Sequence, residues 1–171
     1  VGALAQDGRQ ALKCAMSTKS STRIATLLRD LSLLPHPEGG RYARVHTSAL
    51  QVQHGGTTRP ACTAIRFLLV RGECSDWHRI DADETWQWEE GGALDLLSFD
   101  PQHGLQRYRM DASERGGLPA VVIPAGSWQA ARPLDDYSLV RCVVTPGFLW
   151  ERFELLPATD PLVAYLPKLA G

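Results

Sequence analysis

Within GECSDWHRIDADETWQWEEGG (Gly72–Gly92), the imidazole of His78 is followed six residues later by the carboxylate of Glu84. Side chains alternate along a strand, so CSDWHRI would put Asp76, His78 and Ile80 on one face, and ETWQWEE would put Glu84, Trp86 and Trp88 on one face. The DAD turn between them predicts a hairpin whose two faces meet in one cavity. There a carboxylate would fix the tautomer of an imidazole and raise its pKa beside apolar walls. That pair suits proton transfer, with His78 as base or acid and Glu84 as its orienter. A second proton-carrying group could be Asp76, Tyr42, Tyr137 or Glu38, and the sequence does not choose among them. The bland reading of His78 is a core histidine satisfied by Glu84.

The elements that must position these residues are nearly all strands. SSTRIATLLRDLSLL sets Ile24, Leu27, Leu28, Leu31 and Leu34 on one helical stripe, capped by Ser21 or Thr22 and stopped by Pro35 and Pro37. From RYARVHT to LWERFELL the chain alternates short β-branched and aromatic runs with Gly, Pro and Asp turns. Strands at this rhythm without intervening helices imply an all-β antiparallel sandwich or barrel. Residues 49–60 are polar and Gly-rich and read as a mobile loop. DPLVAYLPKL reads as a last helical turn. Met16 reads as a start, with Val1–Ala15 upstream of it. Residues 1–21 are therefore expected to form an extension, in part disordered, and residues 22–166 a single domain.

The chain has 171 residues, enough for one domain with a real core. A net charge of −1, with no basic stripe, speaks against nucleic acid as a partner. No apolar run is long enough to span a membrane. The four cysteines form no CxxC pair and read as free thiols in a reducing compartment, the cytoplasm. In PGFLWERFEL, large apolar groups fall on both faces of a presumed strand. With Trp77, opposite in parity to His78, this predicts a homodimer.

The spacing Gly72, His78, Ile80, Glu84, Gly91 resembles the first motif of the cupins, a glycine, five residues, H-x-H, a glutamate and a glycine, with Ile80 in place of the second histidine. Pro124, Gly126 and Gln129 resemble the end of the second motif, P-x-G-x-x-H, with Gln129 in place of its histidine. LLPHPEGGRYARVHTS, TAIRFLL, SDWHRIDADETWQWEEGGALDLLSFD and VIPAGSWQAARPLDDYSLVRCVVTPGFLWERFELL are similar to the Cupin_5 family, a domain of unknown function, over roughly Leu27 to Leu156. The resemblance implies a double-stranded β-helix, a jelly-roll-like barrel with a pocket at its core, usually dimeric. It tilts Glu38 towards the pocket rim. Arg66 stands where an aromatic is expected and would alter the pocket's charge if it pointed inward.

Cupin metals usually sit on three histidines and a glutamate. This chain offers His78, Glu84 and Gln129, whose amide oxygen is a weak ligand. No cofactor is expected, and a divalent metal on those three is the lesser alternative. Cupin-fold epimerases that work without metal give the analogy for the first reading. That reading is a metal-independent isomerase, epimerase or lyase acting on a small polar metabolite, with His78 and Glu84 catalytic. Glu38, Arg66, Trp86, Trp88, Trp128 and Gln129 would bind the substrate. The second reading is a non-catalytic binder of a sugar- or nucleotide-like molecule, and the third a metal-dependent enzyme with a reduced ligand set.

Overall fold

In the computed structural model, which describes residues 16–169, one helix precedes thirteen strands. The 1–15 stretch of the expected N-terminal extension lies outside the described residues. Helix α1 spans Thr18–Asp30. It starts a turn earlier than expected, because Ser17 rather than Ser21 or Thr22 caps it, its hydroxyl accepting from the Ser20 amide at 3.1 Å. Ile24 and Leu27 bury the predicted stripe against Leu68 and Leu139. Leu34 has left the helix and is exposed; Leu33 takes its place in the cluster.

The strands form two packed antiparallel sheets and a separate hairpin. One sheet holds β1 (Leu34–Pro35), β2 (Arg41–Thr47), β5 (Thr63–Val70), β12 (Tyr137–Thr145), β7 (Asp83–Gly91) and β10 (Ala120–Ile123), in that order. The other holds β13 (Phe153–Leu155), β6 (Ser75–Ile80), β11 (Trp128–Pro133), β8 (Leu94–Asp100) and β9 (Gly104–Met110). Their inner faces share one core, in which Phe67, Trp86 and Val140 of the first sheet meet Leu94, Leu96, Met110 and Ala131 of the second. Burial of these side chains is the main term holding the barrel closed. The expected all-β double-stranded barrel with an N-terminal helix is what forms.

Three local expectations need correction. CSDWHRI and ETWQWEE do not form a hairpin: the chain crosses from one sheet to the other at Asp81–Ala82, so β6 and β7 face each other across the interior. Residues 49–60 are not a loose loop. They form the hairpin β3 (Gln51–His54) and β4 (Thr57–Pro60), which is tied down by Arg59. That side chain is 1% exposed and grips Asp81 with two nitrogens at 2.9 and 3.2 Å. Finally, LWERFELL is not one strand. Trp150–Arg152 form a 3-10 turn before β13, which breaks the alternation on which the two-faced reading of that segment rested.

Among the described residues no helix is long and apolar enough to cross a membrane, and Cys62, Cys74 and Cys142 are free.

Candidate functional site

A pocket of about 30 Å³ opens at one end of the barrel. Its floor carries four ionisable side chains from three places in the chain, His36 and Glu38 from the turn after β1, His78 from β6 and Glu84 from β7. All four are buried.

The turn is fixed by backbone geometry. His36 donates its amide to Gly40 at 3.1 Å, and the Asp76 amide donates to the Glu38 carbonyl at 2.7 Å. Gly39 adopts φ +105°, and a Cβ there would lie 2.1 Å from the Cys74 carbonyl oxygen. Only glycine lets the turn approach β6 this closely. The outcome is that Glu38 lies between two imidazoles. Its Oε2 is 3.3 Å from His36 Nδ1 and 3.4 Å from His78 Nε2, while Ser75 donates its hydroxyl to Oε1 at 2.8 Å.

β6 reaches this arrangement through a bulge. Its pairing with β11 shifts between Gln129 opposite His78 and Ala131 opposite Ser75. The extra residue turns both Ser75 and His78 inward and leaves the Asp76 side chain exposed. Asp76 therefore does not share the face of His78, as alternation predicted, and serves through its backbone. Its carbonyl lies 2.8 Å from His78 Nδ1. A carbonyl only accepts, so Nδ1 carries the proton and the neutral ring presents the lone pair of Nε2 to Glu38 and the pocket.

Glu84 is held by a different chain of contacts. Gln129 donates Nε2 to Glu84 Oε2 at 2.5 Å and accepts on Oε1 from Trp86 Nε1 at 2.9 Å. An indole N–H can only donate, which fixes the orientation of the Gln129 amide. No hydrogen bond or ion pair joins His78 to Glu84. The orienter of His78 is thus the Asp76 carbonyl, with Glu38 at its other nitrogen, rather than Glu84.

Burial without a cationic partner sets the charge states. It pushes Glu38 up to about 8, against the pull of the Ser75 hydrogen bond. It pushes Glu84 up to about 7, opposed by His78 and by hydrogen bonds from Gln129 and Cys142. Burial, helped by His78 and Arg44, lowers His36 to about 4. The same loss of water lowers His78, with Glu84 pulling the other way. Near neutral pH both imidazoles are neutral and Glu38 is largely a carboxylic acid.

The walls are aromatic, but not with the expected tryptophans. Phe153 lies over His78 at 5.5 Å between ring centroids, and Trp150 stacks on His36 at 5.4 Å. Phe148 and Tyr42 complete that side. Trp86 is 1% exposed and belongs to the core. Trp88 packs against the same core and donates to the Gly92 carbonyl at 3.0 Å. Trp128 is buried beneath the Arg79 guanidinium. Arg66 points to the outer face and pairs with Glu89 at 3.0 Å. None of these four lines the pocket, and Gln129 reaches it only through Glu84. Of the candidates for a second proton carrier, Glu38 and Tyr42 line the pocket. Tyr137 donates to Glu90 instead, at 3.1 Å.

The two observations behind a homodimer find partners within the chain. Phe148, Trp150 and Phe153 converge on the pocket, and Trp77 donates its indole N–H to the Pro167 carbonyl at 3.1 Å beneath the C-terminal tail.

As a metal centre the expected set of His78, Glu84 and Gln129 does not assemble. Of the ligand positions expected from the motifs, Ile80 offers no donor and the Gln129 oxygen is committed to Trp86, which leaves His78 and Glu84. Among the described residues no three His, Cys, Asp or Glu side chains are grouped to hold a metal ion.

Sequence and structure comparisons place the chain among known folds. The family described as Cupin_5, cupin superfamily (DUF985), matches residues 25–156. A hypothetical protein from Leishmania major is 32% identical with a TM-score of 0.75, over 82% of this chain and 91% of that one. Protein SO0799 from Shewanella oneidensis is 31% identical with a TM-score of 0.73, over 81% and 87%. Oxalate decarboxylase from Bacillus subtilis shares the fold alone, at 15% identity and a TM-score of 0.55, over 78% of this chain and 31% of that one. No curated protein matches.

Proposed function

The chain belongs to the Cupin_5 family, and on that footing we propose that its pocket moves a proton on a small polar metabolite, as a metal-independent isomerase, epimerase or lyase. The observation that carries this reading is the Glu38 carboxyl set 3.4 Å from His78 Nε2 on the floor of an aromatic pocket, with no described arginine or lysine within 4 Å of it.

His78 is the base. Its Nδ1 proton is held by the Asp76 carbonyl, so the Nε2 lone pair is free to take a proton from a substrate carbon. Glu38, protonated near neutral pH, is the acid that hands its proton to the substrate oxygen on which charge develops. One proton leaves carbon and one arrives on oxygen, and the pocket's net charge is unchanged. The imidazolium and carboxylate that result are stabilised by each other and by Glu84, whose value near 7 lets it share the charge. The aromatic walls keep water from competing for these protons. Gln129 positions Glu84 and does not contact substrate.

Solvent-deuterium incorporation tests the reading. Incubation in D₂O with lactate, pyruvate, glyceraldehyde and dihydroxyacetone, followed by NMR, should show enzyme-dependent exchange of one C–H. His78→Gln should slow it by about 10²–10⁴-fold. Exchange that persists unchanged in that variant removes His78 from the chemistry, and binding without exchange makes the protein a binder.

A further inference from the structure

Among the described residues Arg44, on β2, is the only arginine or lysine that lines the pocket. Every other described arginine has a carboxylate within 4 Å; among the described residues Arg44 has none, and none of the hydrogen bonds there is made by its guanidinium. A fold that pairs thirteen of its fourteen described arginines and leaves one without a described partner at a buried acid–base cluster has left that one for something else. The carboxyls nearest in the pocket do not serve it, because Glu38 is engaged by Ser75 and lies between the two histidines.

The surroundings sharpen the case. The Arg44 guanidinium carbon lies 5.8 Å from the centre of the Phe148 ring, which shields one side of it from water. That loss of water, with no counter-ion to offset it, holds the guanidinium below its usual pKa. It also sits close enough to His36 to help keep that ring neutral. A partly dehydrated, unpaired guanidinium binds an oxyanion through two parallel N–H donors.

We propose that Arg44 is the anchor for an anionic group of the substrate, a carboxylate or a phosphate, held at the mouth while the adjoining carbon reaches His78. This rests on the proton-transfer reading above and names its substrate class: small oxyanion-bearing hydroxy or oxo compounds. The pocket volume of about 30 Å³ has room for only a few heavy atoms beyond the anchored group.

Calorimetry on the full chain tests it. Lactate and pyruvate form the carboxylate arm, inorganic phosphate and glycerol 3-phosphate the phosphate arm, and lactamide and glycerol the uncharged controls. One anionic arm should bind at least tenfold more tightly than the controls, and the arm that does so identifies the group. Arg44→Gln should lose at least tenfold in affinity for it, Arg44→Lys less, with the melting temperature of the unliganded protein unchanged in both. Absence of binding by both arms, controls that bind equally well, or Arg44→Gln binding like the parent overturns the proposal. The two readings fail separately. Arg44-dependent binding without deuterium exchange keeps the anion anchor and removes the chemistry. Exchange of lactate or pyruvate at a rate and affinity indifferent to Arg44→Gln does the reverse.

Discussion

Glu38 and Asp111 are both carboxyl groups inside the protein, 6% and 2% exposed, and the fold holds them in opposite charge states. Asp111 accepts Arg115 Nε at 2.8 Å and the Ala112 amide at 2.8 Å, with Arg109 at 3.6 Å. Those donors hold it below the usual carboxylate range. Glu38 has a hydroxyl and two neutral imidazoles for neighbours, and burial pushes it up to about 8. Asp95 is likewise paired, accepting from Arg107 at 2.6 Å. The protein thus has the means to neutralise a buried acid and uses them everywhere except in the pocket. Ionisable groups left without counter-charge are costly to bury, and the places that keep them are where protons are to be moved.

Substitutions on each side of the contrast should shift stability in opposite directions with pH. The larger effect belongs to Glu38→Gln. As pH rises past 4.5 the unfolded chain releases the Glu38 proton while the native state keeps it to about 8, so the parent loses stability across that window. The amide cannot ionise and escapes the loss. Measured by urea unfolding, Glu38→Gln should gain on the parent from pH 4.5 to 8.5, by up to about 5 kcal/mol, since each pKa unit is worth 1.36 kcal/mol. A constant difference across that range would mean that Glu38 titrates normally.

The smaller effect belongs to Arg115→Met, which strips the main donor from Asp111. Leaving a buried acceptor short of a partner costs roughly 1–3 kcal/mol at pH 7. Because the Asp111 value is depressed, the stability it contributes is present above the ordinary carboxylate range and is lost as pH falls. The penalty of Arg115→Met should therefore shrink on acidification, which the same unfolding series would show. A penalty independent of pH would assign it to lost packing of Arg115 on the Trp88 ring, 4.8 Å away.

Much of this was legible in the sequence, and the failures have physical causes. Motif spacing brought out His78, Glu84 and Gln129 because each stands at a fixed distance from a turn glycine. Glu38 came with its resemblance, and the strand rhythm gave the barrel. His36 stands on no motif position and acts from a turn, where no periodicity marks a side chain's direction, so nothing set it apart from His46, His54 or His103. Only the double glycine of HPEGG signalled that the backbone there must run close to something. Strict alternation misplaced Asp76, since one bulge in β6 reverses parity. The tryptophans misled for another reason. Trp86 and Trp88 do point inward, but a large ring fills core as readily as it walls a cavity, and sequence does not locate the void. Trp150, Phe148 and Phe153 were hidden by a 3-10 turn that reads like a strand. From sequence Arg44, Arg79 and Arg132 are equally open to clamping an anion; Arg44 stood apart only once every other described arginine had found its carboxylate.

The measurement closest to the central claim is the protonation state of His78 in the free protein. Imidazole ¹⁵N shifts followed with pH should show His78 gaining its second proton only below the ordinary 6.5, the neutral ring carrying its proton on Nδ1, while the ¹³C carboxyl signal of Glu38 titrates near 8. A His78 ring that becomes cationic near 6.5, or a Glu38 signal that titrates near 4.5, would mean that the pocket holds an ordinary ion pair and not an acid and a base waiting for substrate.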